Sequence, residues 1–248
     1  MTMRFMMMHK NDPHTEAGGR PSRELIESMG KFIGEHVKAG AFVDGAGLGG
    51  SATRTRVTFR GGACTVKHGP YAGVNELIAS FSVLKVRSRD EALAWARRYA
   101  EVLGDGEIEL GPVNEPWDLG LIPKPENAPL RVLMLHKADG TSEAGESPSA
   151  ARRAGLTKLA KEMTEAGVLL SSETLQPSAK GKRLLFARNE LHVMDGPFSE
   201  SKELIGGFSI LRLPSIDDVV VQSKRYAAIL GGTLELDIRP LYEPGDVP

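Results

Sequence analysis

The chain is written twice. MRFMMMHK at Met3–Lys10 returns as LRVLMLHK at Leu130–Lys137, which sets His9 against His136 at an offset of 127. The same offset carries Pro21 to Pro148, Gly40 to Gly167, Ser51 to Ser178, Arg56 to Arg183, Phe81 to Phe208 and Gly104 to Gly231. A tandem duplication constrains the fold more than any local motif, because each copy must build the same unit and neither can leave an apolar face wet. The expected organisation is repeat one over 1–113, a proline-rich linker over 114–129 and repeat two over 130–248. Prolines at 112, 116, 123, 125 and 129 predict an extended, semi-rigid connector.

Within each copy the periodicity changes in a fixed order. Short apolar runs at 4–8 and 131–135 read as buried strands. Leu25, Met29, Phe32, Ile33 and Val37 recur at three and four residues and predict a helix ending at Gly40; Leu156, Leu159 and Met163 do the same before Gly167. TRVTF with CTVKH, and KRLLF with ELHVM, read as hairpins turning at Gly61-Gly62 and Arg188-Asn189. ELIASFSVLKV extends the sheet, SRDE at Ser88–Glu91 opens a second helix as a capping box, and EIEL or LELD closes the unit. The order β-α-β-β-(β)-α-β predicts an α+β fold of two ferredoxin-like βαββαβ repeats, each with both helices on one face of an antiparallel sheet. The bare sheet faces are expected to pack on each other as an intrachain, barrel-like pseudo-dimer, since burial gains roughly 25 cal/mol per Å² of apolar surface.

Charge narrows the partners. Lys plus Arg number 31 against 32 for Asp plus Glu, so no basic field exists for nucleic acid or an anionic membrane. No stretch reaches the length of a membrane helix, and the short apolar start lacks a signal-peptide core, so the cytoplasm is the expected location. Cys64 is the single cysteine, which excludes an internal disulfide; aligned with Leu191, it reads as a buried apolar residue. DGAGLGGS at Asp44–Ser51 follows a helix and precedes a strand, the reverse of a phosphate-binding loop, and is read as a loop. HKNDPH has no recognised metal spacing, so neither a metal nor a cofactor is expected.

The second copy carries Asp195-Gly196-Pro197-Phe198-Ser199-Glu200-Ser201-Lys202-Glu203 followed by LIGGF. With MRFMMMHK and AGVLLSSETLQPSAKG, which looks like a helix exit and loop, this run resembles the YCII-related family, in the branch marked by a DGPF motif. The resemblance covers both copies and implies a dimeric α+β barrel, here supplied by one chain, with a cleft near the motif turn. It also implies small-molecule chemistry of the kind linked to the family, including elimination of chloride from a hydroxylated aromatic, with an aspartate and a histidine as acid-base groups. The first copy departs from the motif, reading HGPYAGVNE with His68 where the second has Asp195.

Asp195 is the candidate general base, a carboxylate at a strand end whose pKa desolvation would raise; the competing reading is that it accepts backbone N–H groups and shapes the turn. His136 is its expected partner, on the premise that strand one and the strand entering the motif share a sheet. His9 is the equivalent histidine of copy one, and Lys10 and Lys137 follow the two imidazoles. Glu200 and Lys202 are read as rim charges, and Arg183 and Ser178, like Arg56 and Ser51, as groups for a carboxylate or phenolate. His68 marks a changed or lost site in copy one. The expected function is a cofactor-independent enzyme performing acid-base elimination or isomerisation on a small organic molecule. The alternative is a non-catalytic small-ligand-binding or regulatory module, and in either case further homodimerisation is open.

Overall fold

The computed structural model describes residues 2–188 and 190–247, so Asn189 of the expected Arg188-Asn189 turn lies outside them. Repeat one runs β1 (Met3–Lys10), α1 (Pro13–Glu16), α2 (Arg23–Lys38), β2 (Phe42–Gly47), β3 (Thr55–Arg60), β4 (Ala63–His68), β5 (Ile78–Val86), α3 (Arg89–Leu103) and β6 (Gly106–Pro112). Repeat two runs β7 (Leu130–Lys137), α4 (Gly140–Ala144), α5 (Ala150–Glu165), β8 (Leu169–Thr174), β9 (Lys182–Ala187), β10 (Glu190–Asp195), β11 (Ile205–Leu213), α6 (Ile216–Leu230) and β12 (Leu234–Pro240).

The long helices start where short polar side chains can take up free amides. Ser22, Ser88, Ser149 and Ser215 each accept a hydrogen bond from the backbone three residues on. At Ser88 the expected capping box is only half made, because the Glu91 carboxylate reaches back to the amide of Arg87 instead of Ser88. The hairpin between β3 and β4 turns at Gly61 and Gly62, both at positive φ, the conformation glycine adopts without strain.

Two strands were not expected. DGAG and SSET sit in β2 and β8, where the glycine-rich run DGAGLGGS and the family resemblance of AGVLLSSETLQPSAKG both point to loops. Glycine in β2 serves close approach: a Cβ at Gly45 would lie 2.8 Å from the Phe208 carbonyl, and one at Gly207 would lie 2.7 Å from that of Ala46. These strands lack apolar alternation because they are sheet edges, paired on one side only, to β11 and β5 respectively.

The sheets are two, each six-stranded and antiparallel, in the orders β10-β9-β12-β1-β11-β2 and β4-β3-β6-β7-β5-β8. The repeats therefore exchange their first β-α-β arms. β1 lies between β12 and β11 of the other copy, and β7 lies between β6 and β5. The expectation of one sheet per repeat is replaced by two composite sheets, and isolated bridges from Leu48 to Val113 and from Leu175 to Leu241 join the sheets at two corners. Composite pairing explains why MRFMMMHK is apolar throughout. Met6 and Met8 enter the core between the sheets with Phe81, Leu133, Leu135 and Phe208, whereas Phe5 and Met7 pack under α2 and α6. Phe81 and Phe208, equivalent in the duplication, meet at 5.4 Å between ring centroids. α3 and α5, one from each copy, cover the outer face of the second sheet.

Other expectations shift for local reasons. The connector folds into turns over Glu115–Leu121 rather than extending, with Glu115 accepting two hydrogen bonds from Arg131. Cys64 is exposed, because β4 is the outer edge of its sheet. Among the described residues no helix is long and apolar enough to cross a membrane.

Candidate functional site

A cavity of about 450 Å³ opens beneath α5, walled by one end of the second sheet, α3, Tyr242 and Val247. His136 comes into it from β7, Ser80 from β5, Ser172 and Thr174 from β8, Tyr99 from α3 and Arg152 from the first turn of α5. The Ser80 Oγ lies 3.4 Å from both His136 Nδ1 and the Tyr99 hydroxyl, and the Tyr99 ring meets the imidazole edge-on at 6.2 Å between centroids. Burial first, and then the nearby Arg152 charge, hold the His136 imidazolium down to a pKa of about 4 against the pull of Asp139. The group is neutral at pH 7. Desolvation raises the Tyr99 phenol, so it too stays protonated.

The duplication supplies an internal reference for this cavity. At the matching positions of copy one stand Leu25 for Arg152, Met29 for Leu156, Ile33 for Ala160 and Phe42 for Leu169. Met29, Ile33 and Phe42 pack against the core beneath α2. Gly207 stands where copy two's arm meets Ser80, and a Cβ there would come within 2.4 Å of His9. The His9 ring consequently lies against β11 and bonds the Tyr226 hydroxyl at 2.9 Å, its pKa lowered to about 4 chiefly by burial. Smaller apolar residues open the space in one copy, and hydroxyl residues line it together with Arg152, Arg153, Asp139 and Glu146.

The residues of the motif stand elsewhere. Asp195 ends β10, the edge strand of the first sheet, whereas His136 belongs to the second, so the expected dyad is not brought together. The premise of a shared sheet fails because the arms are exchanged. The Asp195 side chain is 78% exposed and accepts from Lys182 Nζ at 2.7 Å, raising the lysine's pKa mainly through that hydrogen bond. It has no backbone N–H partner among the described residues. Asp195→Asn is expected to change stability by less than about 1 kcal/mol in a denaturant titration, as for any exposed pair. A larger loss would mean that the carboxylate supports more than this contact.

The remaining candidates build the fold around the motif. His68 is exposed on β4, 3.0 Å from the Thr55 hydroxyl. Glu200 and Lys202 pair with each other at 3.1 Å on the surface. Ser178 accepts from the Phe198 amide at 3.0 Å, pinning the turn as Ser51 pins Tyr71. Arg183 bonds Asp237 at 2.6 Å with its guanidinium 4.5 Å over the Phe198 ring, and Lys10 reaches the same carboxylate at 2.6 Å. In copy one Arg56 lies 4.4 Å over Tyr71 and bonds Glu109 and Glu76, with Lys137 on Glu76. Lys137 and Arg183 thus sit in ion networks with the buried carboxylates Glu76 and Asp237.

Arg152, Tyr99, Ser80 and the network carboxylates Glu76, Glu109 and Asp237 were missed. Arg152 had a signal, a charge at the place of Leu25 in the apolar stripe of the twin helix. Glu109 and Asp237 are equivalent only at an offset of 128, because register sets Thr55 opposite Leu110 but Lys182 opposite Ile238. One residue inserted after Gly231 hides the match from an ungapped alignment.

Comparison with known proteins agrees with this picture of a duplicated unit. The model of the YCII-related domain matches residues 3–115 and again 130–240. An uncharacterized protein of Rhizobium meliloti (strain 1021) is 32% identical over 95 residues, which are 38% of this chain and 77% of that protein. No solved structure matches the chain at a significant level. The chain belongs to the YCII-related family and carries the family's domain twice, its two copies interleaved through exchanged arms.

Proposed function

We propose that this protein is a small-ligand-binding module whose site is the cavity beneath α5. The observation that carries the reading is the difference between the copies: the same β-α-β arm is packed by Met29, Ile33 and Phe42 in one and holds about 450 Å³ in the other. A space of that size, walled by leucines and a methionine with a few convergent polar groups, suits a small organic molecule. Binding is favoured over acid-base catalysis for two reasons. A base works best with a pKa near the working pH, and His136 at about 4 is a weak one. The carboxylate meant to assist it stands on the edge of the other sheet.

A thermal-shift screen of small organic molecules tests this. A subset is expected to raise Tm of the wild type, and the double variant Ala160→Ile/Leu169→Phe, which carries copy one's side chains, is expected to fold and lose that response. Molecules that stabilise both proteins equally, or none that stabilises the wild type, would sink the reading.

A further inference from the structure

Resting on that reading, we propose that the ligand is an organic monocarboxylate, an apolar body bearing one carboxylate that Arg152 holds. The other interior guanidiniums are already bonded to carboxylates: Arg54 to Glu109 at 2.9 Å, Arg183 to Asp237 at 2.6 Å and Arg239 to Glu143 at 3.1 Å. Arg152 is the exception. Its closest carboxylate oxygen, on Asp139, is 3.9 Å from Nη1, and its Nε is buried without a hydrogen-bond partner among the described residues. Asp139 is committed to capping α4, accepting from the Ser142 amide at 2.8 Å. A guanidinium donor left unmatched is costly, and a carboxylate is the planar acceptor that fits its fork.

The rest of the lining fixes the class. His136, Tyr99, Ser80 and Ser172 offer neutral donors, Asp139 and Glu146 also line the space, and its second arginine, Arg153, is exposed, a balance that disfavours a phosphate dianion. Leu103, Leu156 and Met163 provide the wall against which an aryl or short alkyl body would lie. The Arg152 side chain remains 21% exposed, so the anchor stands at the border between the cavity and solvent.

Calorimetry with matched probes tests the assignment: benzoate against benzamide, 3-phenylpropionate against 3-phenylpropionamide, and hexanoate against hexanamide. At least one carboxylate is expected to bind ten-fold or more tighter than its amide. Arg152→Gln, with Tm close to wild type, is expected to bring that pair to near equality, and Ala160→Ile/Leu169→Phe to abolish binding of both members. Amides binding as well as their acids, with both lost on filling the cavity, would overturn the carboxylate assignment while leaving the site in place. A preference that survives Arg152→Gln would overturn the anchor. Absence of any probe or screened molecule whose binding depends on the cavity would overturn assignment and site together.

Discussion

Glu109→Ala should cost about 3–5 kcal/mol of stability, the range for breaking a buried ion pair from one side, and lower Tm by on the order of 10 °C. Glu109 is 1% exposed and accepts from Arg54 at 2.9 Å, from Arg56 at 2.9 Å and from the Tyr71 hydroxyl at 3.3 Å, with Lys137 at 3.9 Å. Removing it leaves Arg54 without a carboxylate partner among the described residues, and Arg56 and Lys137 with Glu76 and, for Arg56, the partly exposed Glu107. Burial alone would raise the Glu109 carboxyl, but Lys137, Arg54 and Arg56 outweigh it and hold the pKa at about 2, below its ordinary 4.5. The folded state therefore binds this proton less readily than the unfolded one. The contribution is complete above pH 4.5 and is lost as pH falls toward 2. His9 and His136, both lowered to about 4 from 6.5, add in the same direction, eroding stability between pH 6.5 and 4. Urea melts from pH 7 to 3 should show a falling curve whose lowest limb flattens in the variant. Glu107→Ala, which removes a 30%-exposed partner of Arg56, is the control and should stay within about 1 kcal/mol. A Glu109 variant as stable as that control would show that the network adds little.

The networks also explain what the sequence could and could not reveal. Helix α2 was legible because Leu25, Met29, Phe32 and Ile33 face one way whatever lies opposite, and the Gly61-Gly62 turn because its backbone admits few residues. Composite sheets were not legible. Burial on both faces makes β1 equally apolar whether its neighbours belong to its own copy or the other, so hydropathy carries no record of the exchange. Compensating changes were hidden too. Arg54 donates to the Gly49 carbonyl from β3's side in copy one, and Arg239 donates to the Gln176 carbonyl from β12 in copy two. The Arg239 guanidinium uses room left by a glycine, since a Cβ at Gly181, the counterpart of Arg54, would lie 2.7 Å from Arg239 Cδ. Either substitution seen singly looks arbitrary. The cavity was invisible for a related reason: Ala160 and Leu169 are ordinary apolar residues of a partly buried helix face and strand, and only their twins Ile33 and Phe42 show how much volume is absent.

Separating the repeats should abolish the folded monomer. Residues 1–113 and 130–248, produced as individual chains, would each lose the strand that connects the rest of its sheet. Without β1, β11 has no contact with β12, and without β7, β5 has none with β6. The core between the sheets, where Met6 and Met8 meet Phe81 and Leu133, would also be open. Exposure of that much apolar surface cannot be offset by two disconnected strand groups, since an isolated pair of strands is marginal in water. Each fragment alone should be unfolded or should dimerise by giving its β-α-β arm to a second copy, the exchange the intact chain performs with itself. Mixed together they should form a one-to-one complex with the far-UV spectrum of the full chain. Size-exclusion chromatography with light scattering reads the outcome, and a cooperatively melting monomer of either fragment would show that the exchange is not what holds the sheets together. The same logic gives the duplication a physical role. In a symmetric dimer of single repeats every change to an arm would appear twice, whereas fusion frees one arm to keep Ile33 and Phe42 while the other carries Ala160, Leu169 and Arg152 around a cavity.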